Sequence, residues 1–190
     1  MSATATVSLM TTEEMLALPE NGTERSLIRG RLRENPMTKR NRFHSRTEAR
    51  IAQILGNWLD QQPEPRGEVF SGEAGVILRR NPDTTVGIDV VLFPPDVAVQ
   101  DPEHTSMIEG VPLLAVEILS PNDTQEEIDE KVDEYLAAGV ALVWLVNPHF
   151  RTVTVHRPGA EPELFNVTQE LPAEPHLPGF RVPVARIFGR

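Results

Sequence analysis

Two carboxylates stand inside apolar runs. Asp89 lies within VGIDVVLF and Glu117 within LLAVEIL, each with apolar residues on both sides. Runs of this length bounded by turn residues suit buried strands. A buried carboxylate needs a metal, a cation or hydrogen-bond donors. Two of them converging from neighbouring strands would make an oxygen-rich site for a hard cation such as Mg²⁺ or Mn²⁺. Such a cation activates water and offsets charge on a phosphoryl group. Lys131 is the third candidate. It is the one basic residue in TQEEIDEKVDEYLAA, at the edge of an apolar stripe formed by Ile128, Val132, Tyr135 and Leu136. From there its ammonium would reach back to the carboxylates. The same position also suits a snorkelling lysine paired with its acidic neighbours at i,i+4, on a helix whose other acids form a solvated face.

The elements that would position these residues follow from the patterns around them. Pro112 opens the central strand, Leu113 to Leu119, and the turn Ser120 to Asp123 closes it. Thr124 and Glu127 have capping-box spacing for a helix from Thr124 to Ala138, with Gly139 as its C-cap. Val140 to Val146 is a further buried strand, so Leu113 to Val146 reads as a right-handed parallel crossover. Upstream, Thr11 to Leu18 reads as a short capped helix, Arg25 to Glu34 as a hairpin turning near Gly30, and Asn41 to Asp60 as a long helix. Glu68 to Arg80 reads as a strand pair or one bent strand. Thr85 to Phe93 is a strand broken by Pro94-Pro95. A short apolar piece, Asp96 to Val99, and a polar excursion, Gln100 to Gly110, follow. Downstream, RTVTVH alternates as a half-exposed antiparallel strand. The proline-rich tail should be mostly extended, ending in a packed segment from Val184 to Phe188. The pattern predicts an α/β fold, a mixed β-sheet flanked by helices, in a single domain over residues 1–190.

The net charge of -10 counts against a strong non-specific DNA binder. The charge is polarised, however. Basic residues cluster at Arg25, Arg29, Arg31, Arg33, Lys39, Arg40, Arg42, Arg46 and Arg50, and acidic ones from Asp123 to Glu134. This either places a basic rim near the carboxylates or makes separate solvated faces. There are no cysteines, which excludes disulfides and thiolate metal sites and fits a reducing, cytoplasmic compartment. No stretch resembles a secretory signal or approaches the roughly 18 apolar residues of a membrane span. No Ser-His-Asp arrangement, P-loop or dinucleotide-binding glycine signature is present.

The segment VEILSPNDT, followed by EKVDEYLAAGVALVWLVNP and RTVTVHRP, resembles the Uma-two family of restriction endonucleases, grouped with the PD-(D/E)XK nuclease superfamily. The likeness extends to TTEEMLALPE, LIRGRL, the helix start at His44 and the closing LPGFRVPVARIF. It implies a restriction-endonuclease-like fold, a divalent metal and hydrolysis of DNA phosphodiester bonds. Asp89 matches the motif aspartate and Glu117 the acidic residue of the (D/E)XK element. That element's lysine position holds Leu119, and the lysine is displaced to Lys131. The carbonyl of Ile118 matches a metal contact of the superfamily. Ile88 stands where the family often has Pro, and a literal Pro-Asp pair occurs at Pro95-Asp96. Asp89 is preferred because it lies within the longer strand. The family hairpin carries acids in a pattern like YELIDGEL, whereas this chain has RSLIRGRL, with Ser26, Arg29 and Arg31 at the polar places. That departure supports a second reading, a catalytically silent binding or regulatory protein. A third is cleavage of RNA. His44 would contact phosphate or pack, Glu48 would approach a metal from the same helix, and Ser120 with Asp123 would shape the turn. Double-strand cleavage needs two sites, which a homodimer would supply.

Overall fold

The computed structural model describes residues 9–37, 40–98, 106–121 and 123–189. Lys39, Asn122 and most of the excursion from Gln100 lie outside the described residues. Helix α1 (Thr12–Leu16) has the expected capping box between Thr11 and Glu14. Strands β1 (Thr23–Ile28) and β2 (Arg31–Pro36) form the hairpin, with Arg29 and Gly30 both at positive φ as a two-residue turn requires. Helix α2 (Arg42–Leu59) starts at Asn41, whose side chain accepts the N–H groups of Phe43 and His44. Strand β3 (Glu68–Arg79) is one long strand, bulged at Gly72 and Glu73, antiparallel to β4 (Thr84–Phe93).

The piece after Pro94 is a single helical turn, α3 (Pro95–Ala98). Pro95 supplies the fixed φ and missing N–H that suit the first helical position. A two-residue strand β5 (Ile108–Glu109) then pairs parallel with β3. Strand β6 (Leu114–Ile118), helix α4 (Gln125–Ala138) and strand β7 (Leu142–Asn147) make the crossover, with β6 and β7 parallel. The hairpin strands β8 (Thr152–His156) and β9 (Glu163–Asn166) complete a mixed sheet with nine strands among the described residues, of order β2-β1-β4-β6-β7-β8-β9, with β3 pairing β4 and β5 pairing β3. The tail is more structured than its prolines suggested. It forms a two-stranded sheet, β10 (Glu170–Pro172) with β11 (Arg181–Pro183), and a terminal helix α5 (Val184–Phe188). Leu171, Leu177, Phe180 and Val182 are buried there, so apolar burial overrides the extended bias of the prolines.

Two apolar layers enclose the central strands. Leu114, Val116 and Ile118 of β6 face Ile51 and Leu55 of α2, with Phe180 and Ile187. Ala115 faces Val132 and Tyr135 of α4. By the two-residue period of a strand, Glu117 shares the face of Ala115 and points to α4. Among the described residues no helix is long and apolar enough to cross a membrane.

Asp83, just before β4, ties α1 to the sheet. Its buried carboxylate accepts the N–H of Thr12 at 2.8 Å and the Thr12 hydroxyl at 2.7 Å, and pairs with Arg80 at 3.0 Å. Burial opposes ionisation, but these donors hold its pKa down to about 2. A depressed carboxylate adds stability above its unfolded value of 3.8, and that stability is lost as pH falls through 2. We expect Asp83→Asn to lower unfolding free energy at pH 7 by about 2 kcal/mol. It should also flatten the loss of stability between about pH 4 and pH 2, as read by urea titrations across that range.

Candidate active site

Strands β4 and β6 pair with Val90 opposite Val116 and Val91 opposite Ala115. One step further along this register sets Asp89 opposite Glu117, so both side chains leave the same region of the sheet. Regular pairing ends there. The Ile118 N–H is satisfied by the Asp89 side chain, donating to Oδ2 at 2.7 Å. The β3 bulge accounts for the local geometry. Ser71 pairs with Val90 and Ala74 with Ile88, leaving Gly72 and Glu73 facing Asp89 alone. Ile88 and Val91 accordingly pack in one layer and Val90 and Leu92 in the other. The facing alternation breaks at Asp89, as bulges do beside sites.

Helix α4 supplies the partners of Glu117. Lys131 Nζ donates to its Oε2 at 3.0 Å and the Tyr135 hydroxyl donates to its Oε1 at 2.5 Å. Residues four apart share a helix face, so one turn of α4 delivers both. The capping box of Thr124 with Glu127 and the left-handed Gly139 fix the ends of that helix. Burial raises the Glu117 carboxyl above its ordinary value; Lys131 pulls it down, and the charge of Asp89 adds to the rise. Burial opposes the charged form of Lys131, but attraction to Glu117 outweighs it and raises the ammonium pKa. Burial, then the Glu117 charge, pushes the Tyr135 phenol well above its ordinary value, so it acts as a neutral donor.

Asp89, Glu117, Ile118 and Lys131 all line one cleft of about 400 Å³, with Glu24, Arg40, Ser120 and Asp123. Asp96 sits exposed on α3 and is not among its lining residues. Ser120 and Asp123 shape the turn, as the Ser120 N–H donates to Asp123 at 2.7 Å. Among the described residues no three His, Asp or Glu side chains converge closely enough to hold an ion by themselves. Mg²⁺ sites commonly use one or two carboxylates completed by water and substrate phosphate. The oxygen donors of Asp89 and Glu117, repelling each other in one cleft, fit that pattern. A cation already stands beside them: Arg40 pairs with Glu73, and its guanidinium lies 4.0 Å from both Glu24 and Asp89.

His44 faces Asp89 from the other side. It is 1% exposed, with Nε2 at 3.3 Å from Asp89 Oδ1 and Nδ1 at 3.7 Å from Glu48 Oε2. Burial keeps it from direct contact with a bound strand; it stands behind the motif aspartate. Glu48 does not reach the cleft. Its Oε1 accepts the Gly72 N–H at 2.6 Å and anchors the bulge.

The sequence model of the family described as "Putative restriction endonuclease" matches residues 12–185. The chain belongs to the Uma2 family. A crystal structure of "a putative nuclease belonging to DUF820 from Anabaena variabilis ATCC 29413" superposes with a TM-score of 0.76. It is 22% identical, and the match covers 94% of this chain and 97% of that one, which shows a shared fold. No curated protein matches this chain. Membership in Uma2 supports a nuclease function acting on DNA.

Against the Uma2 hairpin pattern, the cleft still receives an acid. Glu24 lies two residues before Ser26, on the same face of β1, and lines the cleft. The strand period carries that signal, because residues two apart share a face. Three of the four hairpin arginines are paired within the fold, and exposed Arg31 has no carboxylate partner among the described residues. Arg25 pairs with Glu34, Arg33 with Glu130, and Arg29 with Glu134. Glu134 is not on a solvated face. It is buried between Arg29 and Arg79 and accepts the Thr84 hydroxyl at 3.2 Å.

Proposed function

We infer that the cleft is the active site of a Mg²⁺- or Mn²⁺-dependent endonuclease that hydrolyses DNA phosphodiester bonds. The observation that carries this reading is Lys131 Nζ at 3.0 Å from Glu117, in the cleft that Asp89 also lines. Asp89, Glu117 and the Ile118 carbonyl would hold the ion, which when bound polarises the scissile phosphate and water. Asp89 is oriented by the Ile118 N–H and backed by His44. Glu117 is oriented by Tyr135, which leaves Lys131 to direct the attacking water. The Lys131 ammonium also offsets charge gathering on the phosphoryl oxygens as the bond breaks. We expect purified protein to cleave plasmid or oligonucleotide DNA with Mg²⁺ or Mn²⁺ and Glu117→Ala to lose that cleavage. Cleavage that survives Glu117→Ala would refute the assignment.

Arg40 favours a second reading. Its guanidinium occupies the neighbourhood of Asp89 and Glu24, as expected of a silent member that binds without cutting. Calorimetric titration with Mn²⁺ separates the two readings. Heat of binding that Glu117→Ala abolishes supports the nuclease, and no heat at millimolar ion from folded protein supports the silent protein.

A further inference from the structure

Many arginines of this acidic chain pair with carboxylates within the fold; Arg31 on β2 and Arg186 on α5 are exposed without such a partner among the described residues, and the other exceptions gather on one face. Arg42, Arg46 and Arg50 are exposed at four-residue steps along α2, so they form a stripe advancing about 6 Å per step. None has a carboxylate partner among the described residues. Arg50 meets only Gln53, at 2.9 Å. The sole acid within α2 is Glu48, which is turned to Gly72 and His44. Arg151, in the β7–β8 turn, stands beside the stripe, and among the described residues its side chain donates only to the Gly189 carbonyl, at 3.4 Å. Arg46, Arg151 and Phe43 line one shallow depression.

The stripe runs into an apolar groove beside the cleft. Asn41, Phe43, Leu119, Pro121, Pro148 and His149 line it, and Leu119 also lines the active cleft. Phe43 is 49% exposed, with the guanidinium carbons of Arg42 and Arg46 at 5.0 and 5.7 Å from its ring centre. His149 and Phe150 form an edge-to-face pair at its rim, and Phe150 is 72% exposed. Aromatic faces beside unpaired arginines suit unstacked bases on a phosphate backbone. A duplex hides its base faces, so the fitting occupant is a single strand. Cations concentrated here, in a chain of net charge -10, give one complementary path across an otherwise repelling surface.

We propose that this face binds single-stranded DNA leading into the cleft: Arg42, Arg46, Arg50 and Arg151 hold its phosphates, and Phe43 with His149 stacks a base in the groove. The proposal rests on the nuclease reading for its direction of travel but not for its binding. The test uses fluorescence anisotropy in EDTA, where no metal-dependent cleavage occurs. The probes are a labelled single-stranded oligonucleotide and its duplex. Wild-type protein should prefer the single strand at low salt. Arg42→Ala/Arg46→Ala/Arg151→Ala should reduce the slope of log affinity against log salt by roughly 2, about 0.7 per arginine. Phe43→Ala should weaken single-strand binding about tenfold and leave the salt slope unchanged. The corresponding triple lysine variant should keep the slope, which guards against a folding defect. An unchanged slope in the triple alanine variant, or equal binding of duplex with no effect of Phe43→Ala, overturns the proposal. Strand binding that depends on these residues without cleavage by any metal supports this surface and removes the nuclease reading. Intact cleavage with an unchanged slope does the reverse.

Discussion

Lys131→Met should slow metal-dependent DNA cleavage by about 10²- to 10³-fold, the loss typical when one preorganised charge facing a developing anion is removed. Two consequences of the geometry add up in this variant. The ammonium no longer faces the phosphoryl oxygens, and Glu117 loses the cation that opposes the upward push of burial on its carboxyl. Binding and chemistry should therefore both suffer, with a weaker response to Mn²⁺ as well as a lower maximal rate. Lys131 lies at the cleft wall and its side chain makes no other hydrogen bond among the described residues, so folding should survive. Initial rates across a Mn²⁺ series, with a thermal melt of the same preparation, check the result. A variant that folds and cleaves at the wild-type rate would remove Lys131 from the mechanism.

The second large effect is on stability. Glu134→Ala should lower the unfolding free energy by on the order of 3 kcal/mol, the loss seen when one member of a buried ion network is removed. Glu134 is 2% exposed and holds Arg29 and Arg79 while accepting the Thr84 hydroxyl. Its removal leaves a void and a half-buried Arg79 without its carboxylate. For a chain of this size the melting temperature should fall by about 10 °C. Glu130→Ala is the control. Its pair with Arg33 is 38% and 48% exposed, so its loss should cost less than about 1 kcal/mol. Equal melting temperatures for the two variants would contradict the burial argument.

The elements were largely legible because their signals are local. The capping boxes at Thr11 and Thr124, the glycine after α4 and the Ile-Arg-Gly turn all act within a few residues. Asp89, Glu117 and Lys131 were legible for a related reason: charge within an apolar pattern demands a partner. What was not legible depended on register between distant strands. The bulge at Gly72 and Glu73 shows only against β4, and it decides where Asp89 and Glu73 point. His44 and Glu48 sit on a helix whose polar face could have met solvent; only packing of α2 against β3 brings them behind Asp89 and Gly72. Glu134 carries the same letter as its exposed neighbours, and its burial follows from the hairpin folding over the end of α4. The tail misled because proline sets local backbone preference, whereas the apolar residues between the prolines had sheet to cover.

The bonds from Arg29 and Arg33 to α4 also bear on how the molecule opens. The hairpin carries Glu24 to one wall of the cleft, and α4 carries Lys131 to another. A hairpin that peels away exposes the Glu134 carboxylate and strips a wall from the cleft in the same motion. Local opening of β1–β2 should therefore dismantle the site in one cooperative event. We expect the hairpin amides and those of α4 around Glu130 and Glu134 to exchange as one unit, and a ligand that fills the cleft to slow both, as read by hydrogen exchange.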